Sequence, residues 1–132
     1  MDRMDLLGQL LAEHGIPPKG FEIIERGTRV RISEGSHIDL MESGIILLYV
    51  SKRIPCWKAY EVKERIKRYM GRLASFNAIA GIEISDQCFL YLLRKLNVAI
   101  SLESPKDDQL STLWREYVIT LKIVPLLTGA TD

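Results

Sequence analysis

Four residues between positions 28 and 40 could act on one ligand. Arg29 and Arg31 alternate with Thr28, Val30 and Ile32, and His37 and Asp39 alternate with Ile38 and Leu40. Side chains of an extended chain point to opposite faces in turn. Both polar pairs are therefore expected on the same outward face of two strands joined through Glu34-Gly35. A histidine beside an aspartate and two arginines can hold an anion or assist a proton transfer. Pairing of opposite charges across a wet sheet accounts for the same residues without chemistry. His14, the other histidine, falls at the end of a short helical stretch, where it can complement the helix dipole.

A second cluster is basic. Lys52, Arg53, Lys58, Lys63, Arg65, Lys67, Arg68 and Arg72 face only Glu61 and Glu64 in this part of the chain. Positive charge gathered on one helix suits phosphate. Glu61 with Arg65 and Glu64 with Arg68 are ordinary i,i+4 pairs. That leaves Lys58, Lys63, Lys67 and Arg72 as the cations that would meet a nucleic-acid backbone. No pattern of Asn, Gln or aromatic residues suits the reading of bases.

A third candidate is Cys56, placed after a buried strand and at the start of a helix. A helix N-terminus with Lys52, Arg53 and Lys58 nearby favours thiolate over thiol. From Ser51 to Tyr60 the strand–cysteine–helix order is similar to the redox turn of thioredoxin- and glutaredoxin-like proteins. The resemblance implies monothiol redox chemistry, but it lacks the second cysteine, and the preceding strands do not alternate with helices. Cys88 is expected on a buried helical face. With two cysteines far apart, neither a disulfide nor a zinc site is expected, and the compartment is read as reducing and cytoplasmic.

The remaining sequence narrows the class. Formal net charge is +1 and 47% of residues are hydrophobic, a composition that favours a packed core over disorder. The start of the chain has acidic residues where a secretory signal wants basic ones, and no apolar run is long enough to span a bilayer. Nucleotide-binding glycine loops, nucleophile elbows, metal-binding histidine pairs and carboxylate clusters are missing. No catalytic set, metal or cofactor is predicted.

Regular elements must position these residues. Leu6, Leu7, Leu10 and Leu11 share a face of a first helix that Gly15 ends. From Phe21 to Lys52 the period becomes 2, with turns at Arg26-Gly27, Glu34-Gly35-Ser36 and Glu42-Ser43-Gly44, which predicts a four-stranded antiparallel meander. The run Ile45 to Val50 is apolar on both faces and suits a central strand. Ala59, Val62, Ile66, Tyr69, Leu73, Phe76 and Ala80 then step by three and four. They predict one helix from Pro55 to Ala80, roughly 37 Å long at 1.5 Å per residue. Gly71 inside it invites a kink. A third helix is expected from Ser85 through Leu96, ended by Asn97. A fifth strand is expected over 98–102, and a last helix from Ser104-Pro105 towards Pro125, including the β-branched section 117–124.

Together these features predict one α+β domain over residues 1–132, an antiparallel four- to five-stranded meander packed by a long central helix and a C-terminal helix. The function expected is a small, soluble, non-enzymatic protein-interaction module. It would form a homodimer through an apolar helix face at Ile66, Tyr69, Leu73 and Phe76, or through the C-terminal helix. Sequence-nonspecific binding of nucleic acid by the basic helix is the alternative, and a monothiol redox protein the weaker one. A further protein partner is unidentified, and no membrane is involved.

Overall fold

The structure is a computed structural model that describes residues 3–16, 18–96 and 107–129. Its elements run in the order α1 (Arg3–Glu13), β1 (Gly20–Ile24), β2 (Gly27–Ser33), β3 (Ser36–Met41) and β4 (Ile46–Ile54). A single 3-10 turn (Cys56–Lys58) leads into α2 (Ala59–Arg68) and α3 (Met70–Ser75). The hairpin β5 (Ala78–Ile84) and β6 (Cys88–Leu96) follows, and α4 (Asp107–Thr128) closes the chain. The fold is α+β with a meander-like antiparallel sheet, in strand order β1-β2-β3-β4-β6-β5.

The first four strands form where the alternation places them. Thr28 and Val30 are buried on β2, and Ile38 and Leu40 on β3. β4 lies between β3 and β6, the central position that its apolar run demands. Gly35 lets two strands close up. A Cβ there would drive into the Ser51 carbonyl, which belongs to the residue whose amide donates to the Gly35 carbonyl.

The long helix expected from Pro55 to Ala80 is corrected. It breaks at Tyr69 (φ −96°, ψ 9°) and stops at Phe76, not at Gly71, which is exposed. Asn77 takes the left-handed conformation, with φ 55°, a helix-ending signal that asparagine tolerates better than most residues. Ala78, Ala80, Ile82 and Ile84 alternate beyond it as strand β5. The helix expected from Ser85 is also corrected, because Ser85 lies in the hairpin turn and 88–96 is strand β6. Its run Phe89-Leu90-Tyr91-Leu92-Leu93 is apolar on both faces, and such a run carries no period to separate helix from strand. The strand expected over 98–102, the cap at Asn97 and the start at Ser104-Pro105 lie outside the described residues. The section 117–124 is helical, and α4 continues through Pro125 in its last turn.

The helices share one face of the sheet, over two adjoining cores. Leu11 and Ile16 meet Val30, Ile38, Leu48, Leu110 and Leu113 in the first. Val62, Ile66 and Leu73 meet Leu90, Leu92, Ile123 and Leu127 in the second. α4 runs over both, with Tyr117 in the first and Val124 in the second. A buried ion pair sits at the junction. The Arg94 Nη1 lies 2.7 Å from Glu116 Oε2, and its Nε donates to the Phe76 carbonyl at 2.9 Å. That guanidinium ties β6 to α4 and to the end of α3.

Candidate interaction surfaces

The sheet face away from the helices carries the polar quartet. Pairing sets Arg29 opposite Asp39 and Arg31 opposite His37, so the four residues do lie together. Their charges are already matched. Arg29 donates to Asp39 through Nε (2.8 Å) and Nη2 (3.1 Å), a two-point contact that raises the Arg29 pKa. Arg31 reaches Glu22 at 2.7 Å. His37 stacks on Tyr49, with ring centroids 4.6 Å apart, and its Nε2 is 3.8 Å from Asp39 Oδ1. Burial lowers the His37 pKa. Asp39 opposes that shift, Arg29 and Arg31 reinforce it, and Glu22 opposes it weakly. A stacked imidazole with its pKa lowered by burial, set between matched ion pairs, describes a packed sheet face. The Arg31–Glu22 pair is the solvent-exposed member of the group, at 52% and 45%.

The cations of the 52–72 segment divide by role. Lys58 donates to the Thr128 carbonyl at 3.5 Å and Arg65 to the Leu126 carbonyl at 3.4 Å. Both thus serve the C-terminus of α4, which has no basic residue in its own last turn. Cations placed there satisfy orphan carbonyls and oppose the helix dipole. Arg72 lies over the Tyr69 ring, 5.8 Å from its centroid. Lys67 has a 3.5 Å contact to Glu64. Lys63 is exposed, and no described acidic group pairs with it. The four cations expected to face a nucleic acid are therefore not one surface: Lys63 and Lys67 share a flank of α2, Lys58 turns to α4, and Arg72 is on α3.

The two cysteines are joined. A Cys56–Cys88 disulfide spans 32 residues of sequence, with Cα atoms 5.2 Å apart. This corrects the expectation of two separate thiols, and with it the monothiol reading. The β4–β6 register sets Ile54 opposite Cys88, which brings Cys88 beside the chain just past β4. Reading 88–96 as helix hid that neighbourhood.

Two apolar surfaces remain. Of the expected interface, Ile66 and Leu73 point into the protein's own core at 8% and 5% exposure, while Phe76 is 42% exposed and Tyr69 is half-buried. Tyr69 and Phe76 line a cleft of about 110 Å³ with Leu126 of α4. On α4, Trp114, Val118, Leu121 and Pro125 follow helical spacing on the outer side of the helix, all partly or well exposed. This helix therefore carries apolar residues outward as well as inward.

The second surface lies along α2 and the edge strand β5. Tyr60, Lys63 and Lys67 on one flank of α2, with Met70 at the start of α3 and Ala80, Ile82 and Ile84 on β5, line a groove of about 600 Å³. Tyr60 and Ile84 are 75% and 70% exposed. The groove was not legible in the sequence, since its other wall, β5, begins at Ala78, inside the helix expected to run to Ala80.

No protein-family model matches the chain, and no curated protein matches it. Solved structures do resemble it. YbjN from E. coli superposes with a TM-score of 0.59 at 17% identity, covering 96% of this chain and 91% of that one. An uncharacterised protein from Methanothermobacter thermautotrophicus superposes with a TM-score of 0.56 at 11% identity, covering 99% of this chain and 100% of its own. At these identities the likeness shows the fold alone. No described helix is long and apolar enough to cross a membrane.

Proposed function

We propose that this protein is a small non-enzymatic interaction module that works as a homodimer, two copies meeting through the outward face of α4 and the adjoining end of α3. The observation that carries this reading is the second apolar stripe of α4. Trp114 and Leu121 are 36% and 39% exposed, and Leu126 and Phe76, at 38% and 42%, form a separate apolar patch on the other flank of α4, where it meets the end of α3. A helix at the surface of a monomer normally spends its apolar residues on one face. Here the inner face already fills both cores. A two-fold pairing of α4 with its copy would cover the outer stripe, and two-fold pairs are the commonest assembly.

Sedimentation equilibrium tests the reading. The native protein is expected as a dimer at high micromolar concentration, and Leu121→Lys with Leu126→Lys as a monomer of unchanged circular dichroism. A native monomer at that concentration sinks the dimer. A folded variant that remains dimeric moves the interface elsewhere. YbjN is described as a candidate transcription regulator, and the nucleic-acid alternative would use Lys63 and Lys67 as phosphate contacts. A titration with random duplex DNA at two salt concentrations separates it, because phosphate contacts weaken steeply with salt.

A further inference from the structure

The edge of the sheet at β5 has a fixed hydrogen-bonding phase. The Lys95 amide donates to the Asn77 carbonyl, and the Ser85 amide to the Gln87 carbonyl. In a regular antiparallel ladder the bonded pairs alternate, so Ile79, Gly81 and Glu83 bond to β6. Ala78, Ala80, Ile82 and Ile84 then turn their amides and carbonyls outward, away from the sheet. Their side chains lie on the helix side, and three of them line the groove beside α2.

We infer that this edge receives an extended segment of a partner protein, added as a seventh strand antiparallel or parallel to β5, with apolar and acidic side chains alternating on the side that faces α2. The outward backbone groups of β5 supply the pairing. Tyr60, Ile66, Met70, Ile82 and Ile84 supply an apolar floor and walls. The charge of the groove selects the occupant. Lys63 and Lys67 line it, and no carboxylate does. A second copy of this chain is the poorer fit. β5 paired antiparallel with its copy would place Lys63 and Lys67 of both α2 helices on the same side of the junction, where like charges repel. Its lone carboxylate, Glu83, would fall on the opposite face, out of reach of those lysines.

The surface is separate from the outward face of α4, so this inference and the dimer stand or fall independently. The test uses the full oxidised chain and a fluorescein-labelled heptapeptide, Ile-Thr-Glu-Thr-Ile-Thr-Glu, against its counterpart with lysine in place of glutamate. Two N-methylated forms of the acidic peptide block one or the other set of alternate amides. The acidic peptide is expected to bind about tenfold more tightly than the basic one, the scale of two solvent-rimmed ion pairs. One N-methylated form should lose binding while the other keeps it. In Lys63→Glu with Lys67→Glu, exposed positions that leave folding intact, the charge preference should invert. Equal binding of the acidic and basic peptides, or equal tolerance of both N-methylated forms, overturns the inference. So does an absence of binding at low salt. A peptide copying residues 78–84 that binds as tightly as the acidic probe assigns the edge to self-pairing instead.

Discussion

Replacing Arg94 with methionine should be among the most damaging single changes in this protein. Its guanidinium is buried within the fold, with the side chain 9% exposed and Glu116 at 23%. Besides the 2.7 Å ion pair with Glu116, it donates to the Phe76 carbonyl at 2.9 Å, the Glu116 carbonyl at 3.2 Å and Thr120 Oγ1 at 3.3 Å. Methionine fills much of the stem volume but leaves the carboxylate without its counter-charge and the Phe76 carbonyl without its donor. Breaking a buried pair from one side costs about 3–5 kcal/mol, against a total stability of about 5–15 kcal/mol for a domain of ordinary size. The double change Arg94→Met with Glu116→Leu removes the stranded charge as well. It should therefore be less destabilising than the single change, because apolar replacements of a buried pair are often neutral or better. Urea unfolding followed by circular dichroism gives both midpoints. A loss below about 1 kcal/mol for the single variant, the scale of an exposed pair, refutes the reasoning, as does a double variant whose losses simply add.

Three further outcomes follow from the same structure. His37 has a folded pKa below its ordinary value, so protonation favours the unfolded chain. Its contribution to stability is present above about pH 6.5 and is lost as pH falls from there through the folded pKa. His37→Phe keeps the ring against Tyr49 and should flatten the rise in urea midpoint between acidic and neutral pH; parallel profiles would exclude His37 as a source of that rise. Gly35→Ala presses a methyl group on the Ser51 backbone, whereas at Gly81 the obstacle is the Tyr91 hydroxyl end. The first should cost about 1–3 kcal/mol and the second less, because a tyrosine can swing aside; the reverse order in thermal melts would overturn this account. Opening the Cys56–Cys88 loop of 32 residues by Cys56→Ser with Cys88→Ala should cost about 3–4 kcal/mol on the loop-entropy scale. Native protein with and without dithiothreitol should differ by a similar amount, and coincident unfolding curves would show that the bridge contributes nothing.

Much of the architecture is legible in the sequence. Alternation at Thr28-Val30 and at Ile38-Leu40, with glycine turns between, suffices for the meander and for the register that gathers Arg29, Arg31, His37 and Asp39. The helical period suffices for α4, even across its β-branched section. The rest was hidden for physical reasons. Steps of three and four through Phe76 and Ala80 continue the seam of α2 by coincidence, and only Asn77 signals the stop. Phe89 to Leu93 is apolar throughout and therefore blind to period. From that one ambiguity came the missed hairpin and the missed disulfide, while the seam carried through to Ala80 hid the strand that walls the groove. The roles of Lys58 and Arg65 at the end of α4 depend on contacts some 60–70 residues apart, which no local pattern records.

The position of β6 between β4 and β5 also shapes the order in which the chain folds. β1 to β4 pair with sequence neighbours, through short turns, and such contacts form early because little loop entropy opposes them. β6 cannot join β4 until α2, α3 and β5 have been bypassed, yet it completes the floor of both cores. We predict a transition state in which the meander is largely formed and the β4–β6 seam closes only after it. Conservative truncations would then divide by location: Ile38→Val should slow folding, whereas Leu92→Ala should mainly accelerate unfolding. Near-complete formation of the Leu92 contacts in the transition state would reverse that order. Until that seam closes, the apolar faces of β4 and β6 are both open, so the interval before closure is when the chain is most prone to aggregate.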